Sequence, residues 1–92
     1  MKIKIKLYGD LKEKSNKNEI ELVMPEGAKM KDLIDIISKD YLDKEALLDS
    51  SGKLKSTIIV LLNGKNIDFI DKLETKLSNG DLISLVPAVF GG

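Results

Sequence analysis

KIKIKLY, residues 2–8, alternates strictly between charged or polar and apolar side chains, and the fold can be worked out from this pattern. The three lysines at positions 2, 4 and 6 share one face, while Ile3, Ile5 and Leu7 share the other. Alternation with a period of two is typical of a strand that buries one face. We therefore predict that the chain begins with a half-buried β-strand.

A second alternating stretch lies at residues 19–24, beyond a polar connection in which DLKEK at 10–14 predicts a short helical turn. Its apolar side chains point one way, and Glu19 and Glu21 point the other. If the two stretches pair, the glutamates face the lysines of the first strand, and opposite charges across strands are favourable. This pattern predicts a β-hairpin.

The middle of the chain predicts one main helix. PEG at 25–27 breaks the second strand, and apolar residues then recur at helical spacing over residues 30–41. Ala28 and Lys29 stand where a capping Ser, Thr or Asp is preferred, so the start of the helix is expected to be poorly capped. Residues 42–56 combine a possible helical turn at Leu47 and Leu48 with a Ser-Ser-Gly loop.

Two further strands complete the pattern. TIIVLL at 57–62 is apolar on both faces, which predicts a strand covered on much of its surface, and NGK at 63–65 predicts a tight turn. LSNGD at 77–81 is a second turn, leading into a last strand at residues 82–86. The resulting order of elements is that of ubiquitin-like β-grasp folds. We predict the α+β class, a mixed sheet with one main helix packed on one face.

Length and composition limit the classes of function. Ninety-two residues make one domain, and fifteen acidic residues balance fifteen basic ones, which argues against nucleic acid or an anionic membrane as the partner. With no Cys and no His, the chain cannot build a disulfide, a Cys/His zinc site or a histidine base. No apolar run approaches the roughly 20 residues of a membrane span. We expect a cytoplasmic protein.

The chain resembles the MoaD/ThiS family of ubiquitin-like sulfur carriers, and most closely MoaD, the small subunit of molybdopterin synthase. Four segments carry the resemblance: LYGDLKEK at 7–14, PEGAKMKDLID at 25–35, VLLNGKNI at 60–67 and KLSNGDLISLVPAVFGG at 76–92. The last is the most specific, because a turn, a strand and a Gly-Gly ending coincide. Small archaeal modifier proteins are also similar. We therefore predict a β-grasp domain at residues 1–86 and a flexible C-terminal tail at residues 87–92.

The resemblance implies chemistry at Gly92, with Gly91 beside it. A carboxylate is a poor electrophile and must first become an anhydride, and the chain has no G-x-x-x-x-G-K loop with which to hold ATP. An activating enzyme of the MoeB-like or another ubiquitin-activating type would therefore use MgATP to adenylate Gly92. Sulfur then replaces the adenylate, and a MoaE-like large subunit presents the pterin acceptor. The chain itself is expected to bind no cofactor or metal and to be non-catalytic alone.

Partner binding is predicted for residues around the tail. Alternation places Tyr8 on the outer face of the first strand and leaves Leu82 and Val86 outward in the last, and these two strands are neighbours in β-grasp sheets. Pro87 cannot donate to a ladder, so the tail should leave the sheet there, and six residues extended reach about 20 Å. The predicted partner-binding residues are Tyr8, Ile67, Leu82, Val86, Pro87, Val89 and Phe90.

Two other functions fit the same residues. A ubiquitin-like modifier would join Gly92 to target lysines through an isopeptide bond, and it also begins with adenylation. A β-grasp interaction module would make no use of the tail. The sequence favours the sulfur carrier, because the tail lacks the basic residue found in ubiquitin's own ending.

Overall fold

The computed structural model describes residues 1–88, and the predictions made for Val89, Phe90, Gly91 and Gly92 lie outside the described residues. The strands are β1 (Lys2–Leu7), β2 (Glu19–Val23), β3 (Ile58–Leu62), β4 (Lys65–Asn66) and β5 (Leu82–Pro87). The α-helices are α1 (Gly9–Ser15), α2 (Met30–Asp40) and α3 (Lys44–Leu47), and two short 3-10 helices span Ile67–Phe69 and Lys72–Glu74. Within residues 1–88, no helix is both long and apolar enough to cross a bilayer.

The strands form one mixed sheet in the order β2-β1-β5-β3-β4. β1 and β5 run parallel, and the other neighbours are antiparallel. The first and last strands are therefore adjacent at the centre of the sheet, as predicted. The α+β class is confirmed, and the structure adds only the two-residue β4 to the predicted strands.

The hydrophobic core lies between one face of the sheet and α2. Burial of these apolar side chains is the main favourable term in folding. Ile3 and Ile5 of β1 and Ile83 and Leu85 of β5 are fully buried. Four side chains of α2 join the same cluster: Met30, Leu33, Ile34 and Ile37. The inward register predicted for both strands is confirmed.

The β1–β2 hairpin pairs lysines with glutamates on its outer face, as predicted. Lys4 lies opposite Glu21, and Lys6 lies opposite Glu19. The ion pair nevertheless forms along a diagonal, with Lys4 Nζ 3.3 Å from Glu19 Oε1. Both side chains of this pair are exposed, so the contact contributes little to stability.

The backbone amides at the start of α2 have more hydrogen-bond acceptors than the sequence indicated. Lys29 is the N-cap residue and supplies no capping side chain, but Asp32 Oδ2 accepts a hydrogen bond from the Lys29 amide at 2.8 Å. The Met30 amide donates to the Thr75 carbonyl at 2.8 Å. The absence of a side-chain cap from Lys29 agrees with the prediction, and Asp32 and the segment before β5 provide acceptors that the two residues before the helix lack.

The least regular region, residues 42–56, contains α3 and a closed loop. Leu47 of α3 is fully buried in the core. The Asp49 carboxylate closes the loop by accepting hydrogen bonds from the amides of Ser51 and Lys53 and from the Ser51 hydroxyl. These bonds, led by that from the Ser51 hydroxyl, hold the pKa of Asp49 below its ordinary value.

Glu74 joins the second 3-10 helix to the start of α2. Its carboxylate accepts from Lys29 Nζ at 2.6 Å and from Lys31 Nζ at 3.1 Å. The hydrogen bond from Lys29, followed by that from Lys31, lowers the pKa of Glu74 below its ordinary value of 4.5. A carboxylate with a depressed folded-state pKa stabilises the fold above its unfolded-state pKa, and this stabilisation is lost as the pH falls.

We expect the variant Glu74→Gln to be slightly less stable than the wild type at neutral pH. The difference should disappear as the pH falls through 4.5 and below, because the wild-type carboxylate then becomes protonated in both states. Urea unfolding of both proteins across this pH range measures the difference. A difference in the free energy of unfolding between the two proteins that stayed constant with pH would contradict an electrostatic role for Glu74.

Candidate functional site

The face of the sheet opposite the core carries an apolar surface next to Pro87, where the predicted tail begins. We call Tyr8, Ile59, Leu61, Leu82 and Val86 the outer-face patch. Tyr8 is 41% exposed, and the other four are half-buried. The strand register places Ile59 beside Val86 and Leu61 beside Ser84, while β1 runs alongside Leu82 on the other flank. Apolar surface of this kind marks interaction sites.

Three of the predicted partner-binding residues are thus brought together: Tyr8, Leu82 and Val86. Ile59 and Leu61 of β3 join them and were missed by sequence reasoning. Their signal was present, since both occupy the outward positions of TIIVLL. The apolar run does not show which outward residues bind a partner, because a strand buried on both faces and a strand with an apolar binding face have the same sequence pattern.

Ile67 was also predicted to bind a partner, but the structure does not place it on the surface. Its side chain is only 1% exposed and belongs to the core, so its assignment to the partner-binding surface is wrong. β4 ends at Asn66, whose side chain accepts a hydrogen bond from the Asp68 amide at 2.9 Å and caps the following 3-10 helix. This turn directs Ile67 inward and leaves Phe69 78% exposed instead.

Pro87 ends one ladder of β5 and leaves the other intact. In the parallel ladder with β1, the Tyr8 amide donates to the Leu85 carbonyl at 3.2 Å. The next hydrogen bond of this ladder would be donated by the amide of residue 87, but proline has no N–H. On the other side, the Ala88 amide donates to the Thr57 carbonyl at 2.7 Å. The chain therefore separates from β1 at Pro87 but follows β3 to Ala88. The division into a domain at 1–86 and a tail at 87–92 stays a prediction.

Gly9 allows the turn between β1 and α1 to pack under Pro87. Its φ of +58° lies in the left-handed region, and a Cβ at this position would approach the Pro87 Cγ to 3.1 Å. Both the backbone conformation and the space therefore favour glycine. This contact links the end of β5 to the turn that follows Tyr8.

We expect Gly9→Ala to destabilise the protein more than Gly27→Ala does. Gly27 also has a positive φ, but a Cβ added there would meet nothing within 4 Å, so this variant isolates the backbone term of about 1 kcal/mol. The crowding against Pro87 should bring the loss for Gly9→Ala to about 2 kcal/mol. Urea unfolding measures both, and equal losses would show that the Pro87 contact is not constraining.

The described residues of the site offer an apolar surface for binding. Its described members are apolar or aromatic, with Ser84 and the β1 lysines beside them. Within residues 1–88, no three acidic side chains are grouped so that they could hold a metal ion. The arrangement offers another protein an apolar surface close to Ala88, the last residue that the structure describes.

Comparison with known proteins gives a consistent family. Residues 5–92 match the ThiS family. A candidate sulfur carrier of Archaeoglobus fulgidus is 40% identical over 50 residues, which cover 54% of this chain and 57% of that relative. Small archaeal modifier protein 3 of Haloferax volcanii is 25% identical over all 92 residues of this chain and the whole of its own length.

The architecture agrees with this match. The crystal structure of SAMP1 from Haloferax volcanii superposes with a TM-score of 0.89 at 25% identity, covering 100% of both chains. The ubiquitin-like β-grasp fold predicted from the element order is therefore confirmed, and so is the resemblance that four segments of the sequence indicated. The chain belongs to the ThiS/MoaD family of ubiquitin-like proteins.

Proposed function

We propose that this chain is a sulfur carrier whose Gly92 carboxylate is adenylated by a partner enzyme and converted to a thiocarboxylate. The observation that carries the proposal is the position of the outer-face patch at the point where β5 separates from β1. A partner docked on the patch lies next to the start of the tail. Four residues beyond Ala88 span about 13 Å when extended, enough to enter an active site of that partner.

The chemistry follows from the weakness of a carboxylate as an electrophile. A carboxylate oxygen of Gly92 attacks the α-phosphorus of ATP in the activating enzyme, pyrophosphate leaves, and an acyl-adenylate forms. A sulfur nucleophile then attacks the carbonyl carbon and displaces AMP. The part of this chain is to bind, and to supply an end without side chains, because two glycines pass through a channel too narrow for a Cβ.

The acceptor that we propose is a molybdopterin precursor held by a MoaE-like large subunit. The support is the resemblance of the four segments to MoaD, above all KLSNGDLISLVPAVFGG at 76–92. In this role the chain is one part of a two-component sulfurtransferase. The relative from Archaeoglobus fulgidus supports the carrier class but does not specify an acceptor.

A second candidate is a protein modifier, favoured by the full-length similarity to a small archaeal modifier protein. The first step is the same. An amine of a target lysine, rather than sulfur, then attacks the activated carbonyl of Gly92, and an isopeptide bond replaces the bond to AMP. Both functions use the same docking surface and the same terminal carboxylate.

Intact mass spectrometry of the protein isolated from its own cells distinguishes the two functions. Replacement of one oxygen by sulfur at Gly92 supports the carrier. Larger proteins with a Gly-Gly remnant on their lysines, traceable to this tail, support the modifier. Finding neither form, in cells that express the activating enzyme, would contradict the proposal that Gly92 is the reactive group.

A further inference from the structure

Two polar side chains interrupt the outer-face patch at one place. Ser84 lies in the middle of β5, with Leu82 and Val86 on either side of it on the same face and Leu61 beside it on β3. On its other flank, β1 places Lys6 directly alongside Ser84. Ser84 is 8% exposed and Lys6 is exposed, so a serine and a lysine occupy adjacent positions of the sheet within apolar surroundings.

Two lysines of this face, Lys2 and Lys6, take part in none of the ion pairs formed within residues 1–88, and Lys6 is the one that lies alongside Ser84. The glutamate opposite Lys6 in the register is Glu19, but the Glu19 carboxylate is 3.3 Å from Lys4 Nζ. The hairpin therefore neutralises Lys4 and leaves Lys6 available to a charge on another molecule.

We infer that the outer-face patch binds a partner surface that is apolar and carries a carboxylate facing Lys6 and Ser84. Lys6 would supply a positive charge and Ser84 a hydrogen-bond donor. A carboxylate accepts from both and balances the charge, whereas an amide oxygen accepts without balancing the charge and a second lysine does neither. Charge complementarity of this kind favours one orientation of the partner and speeds association. The inference rests on the proposed function, because the partner to which it applies is the activating enzyme.

A second copy of this chain is a poorer occupant of the same surface. Its own patch would bring a row of lysines to the interface, and like charges across an interface disfavour association. The acidic residues that it offers on this face are Glu19 and Glu21, which already face the lysines of the hairpin. The carboxylate is therefore expected on a different protein.

The test uses ATP–pyrophosphate exchange catalysed by the adenylating enzyme of the same organism, with the full chain as substrate. We compare Lys6→Glu, Lys6→Gln and Ser84→Ala with Lys39→Glu, which makes the same change of charge on α2, the helix that covers the opposite face. At low salt, kcat/KM should fall about tenfold or more for Lys6→Glu and about threefold for Ser84→Ala. Lys39→Glu should stay within about twofold of the wild type.

Salt dependence provides the second readout. The deficit of Lys6→Glu should shrink as ionic strength rises, and Lys6→Gln should show a weaker salt dependence than the wild type. If Lys6→Glu behaves like Lys39→Glu while the wild type is active, the inference is wrong and the proposed function stands. If the wild type itself supports no exchange, the proposed function fails and the inference fails with it. Unfolding curves of each variant confirm that the fold is intact.

Discussion

Removal of Gly91 and Gly92 should abolish adenylation and thiocarboxylate formation while leaving the unfolding curve unchanged. In the proposed function, the reacting group is the Gly92 carboxylate. A chain shortened by two residues would place its terminal carboxylate at a different distance from the patch, and it would no longer end in the two glycines that fit a narrow channel of the activating enzyme. The free energy of unfolding should not change, because the described core and the described hydrogen bonds of β5 are formed by residues 1–88. Pyrophosphate exchange measures the first expectation, and urea unfolding measures the second.

The matched control adds residues instead of removing them. A short extension after Gly92 keeps both glycines but places the free carboxylate elsewhere, so it should block activation as completely as the deletion does. Val89 and Phe90 remain in place in both variants and would still be available to bind. An extended, unprocessed protein that accepted sulfur would contradict the assignment of Gly92 as the reactive group.

Leu85→Lys should prevent stable folding. Leu85 is 0% exposed in the centre of β5, beside Leu7 of β1 and Val60 of β3. Loss of its packing alone costs about 2–5 kcal/mol, and a buried ammonium with no partner adds to that cost. Domains of this size are stable by about 5–15 kcal/mol in total, so the variant should be largely unfolded. Circular dichroism and thermal melting measure this outcome.

The control lies one residue further along the strand. Val86→Lys places the same charge on the outer face, where its head can reach water, so the variant should fold. It should nevertheless bind the activating enzyme more weakly, as should Tyr8→Asp, because both put a charge into the outer-face patch. A folded Leu85→Lys together with an unfolded Val86→Lys would invert the inward and outward faces of β5 and remove the basis of the patch.

Alternation in the sequence was sufficient to predict the central strands. In β1 and β5 each side chain either faces the core or faces away from it, and a shift of one residue would expose Ile83 and Leu85. The hairpin charges could be predicted in the same way, although the pairing of Lys4 with Glu19 could not. That choice depends on side-chain reach along a diagonal, which periodicity does not encode.

The features that the sequence did not predict lie at residues where no repeating pattern of apolar side chains is present. Ile67 follows a strand of only two residues, and a cap made by Asn66 turned the chain inward before any alternation could be established. At the start of α2, the missing acceptor came from Asp32, three residues beyond Lys29, and from Thr75, distant in sequence. Both depend on single hydrogen bonds between particular groups, whereas the strands depend on a pattern repeated several times.

The candidate site was predictable in part for the same reason. Tyr8, Leu82 and Val86 follow from counting along strands, and Ile59 was hidden within an apolar run. The Lys6–Ser84 pair required the register between β1 and β5, which brings together residues from opposite ends of the chain. Neighbours across a parallel pair of strands cannot be assigned from either strand alone, since each strand is compatible with several registers.

The two ladders of β5 also determine how the domain responds to force. In the proposed function, a partner that takes up the C-terminal residues would pull along the axis of β5, across the hydrogen bonds that join this strand to β1 and β3. Such a load is shared in shear by bonds on both sides of the strand, rather than opening them one at a time as a peeling force would. Tension applied to the chain beyond Ala88 is therefore resisted by both ladders of β5 together.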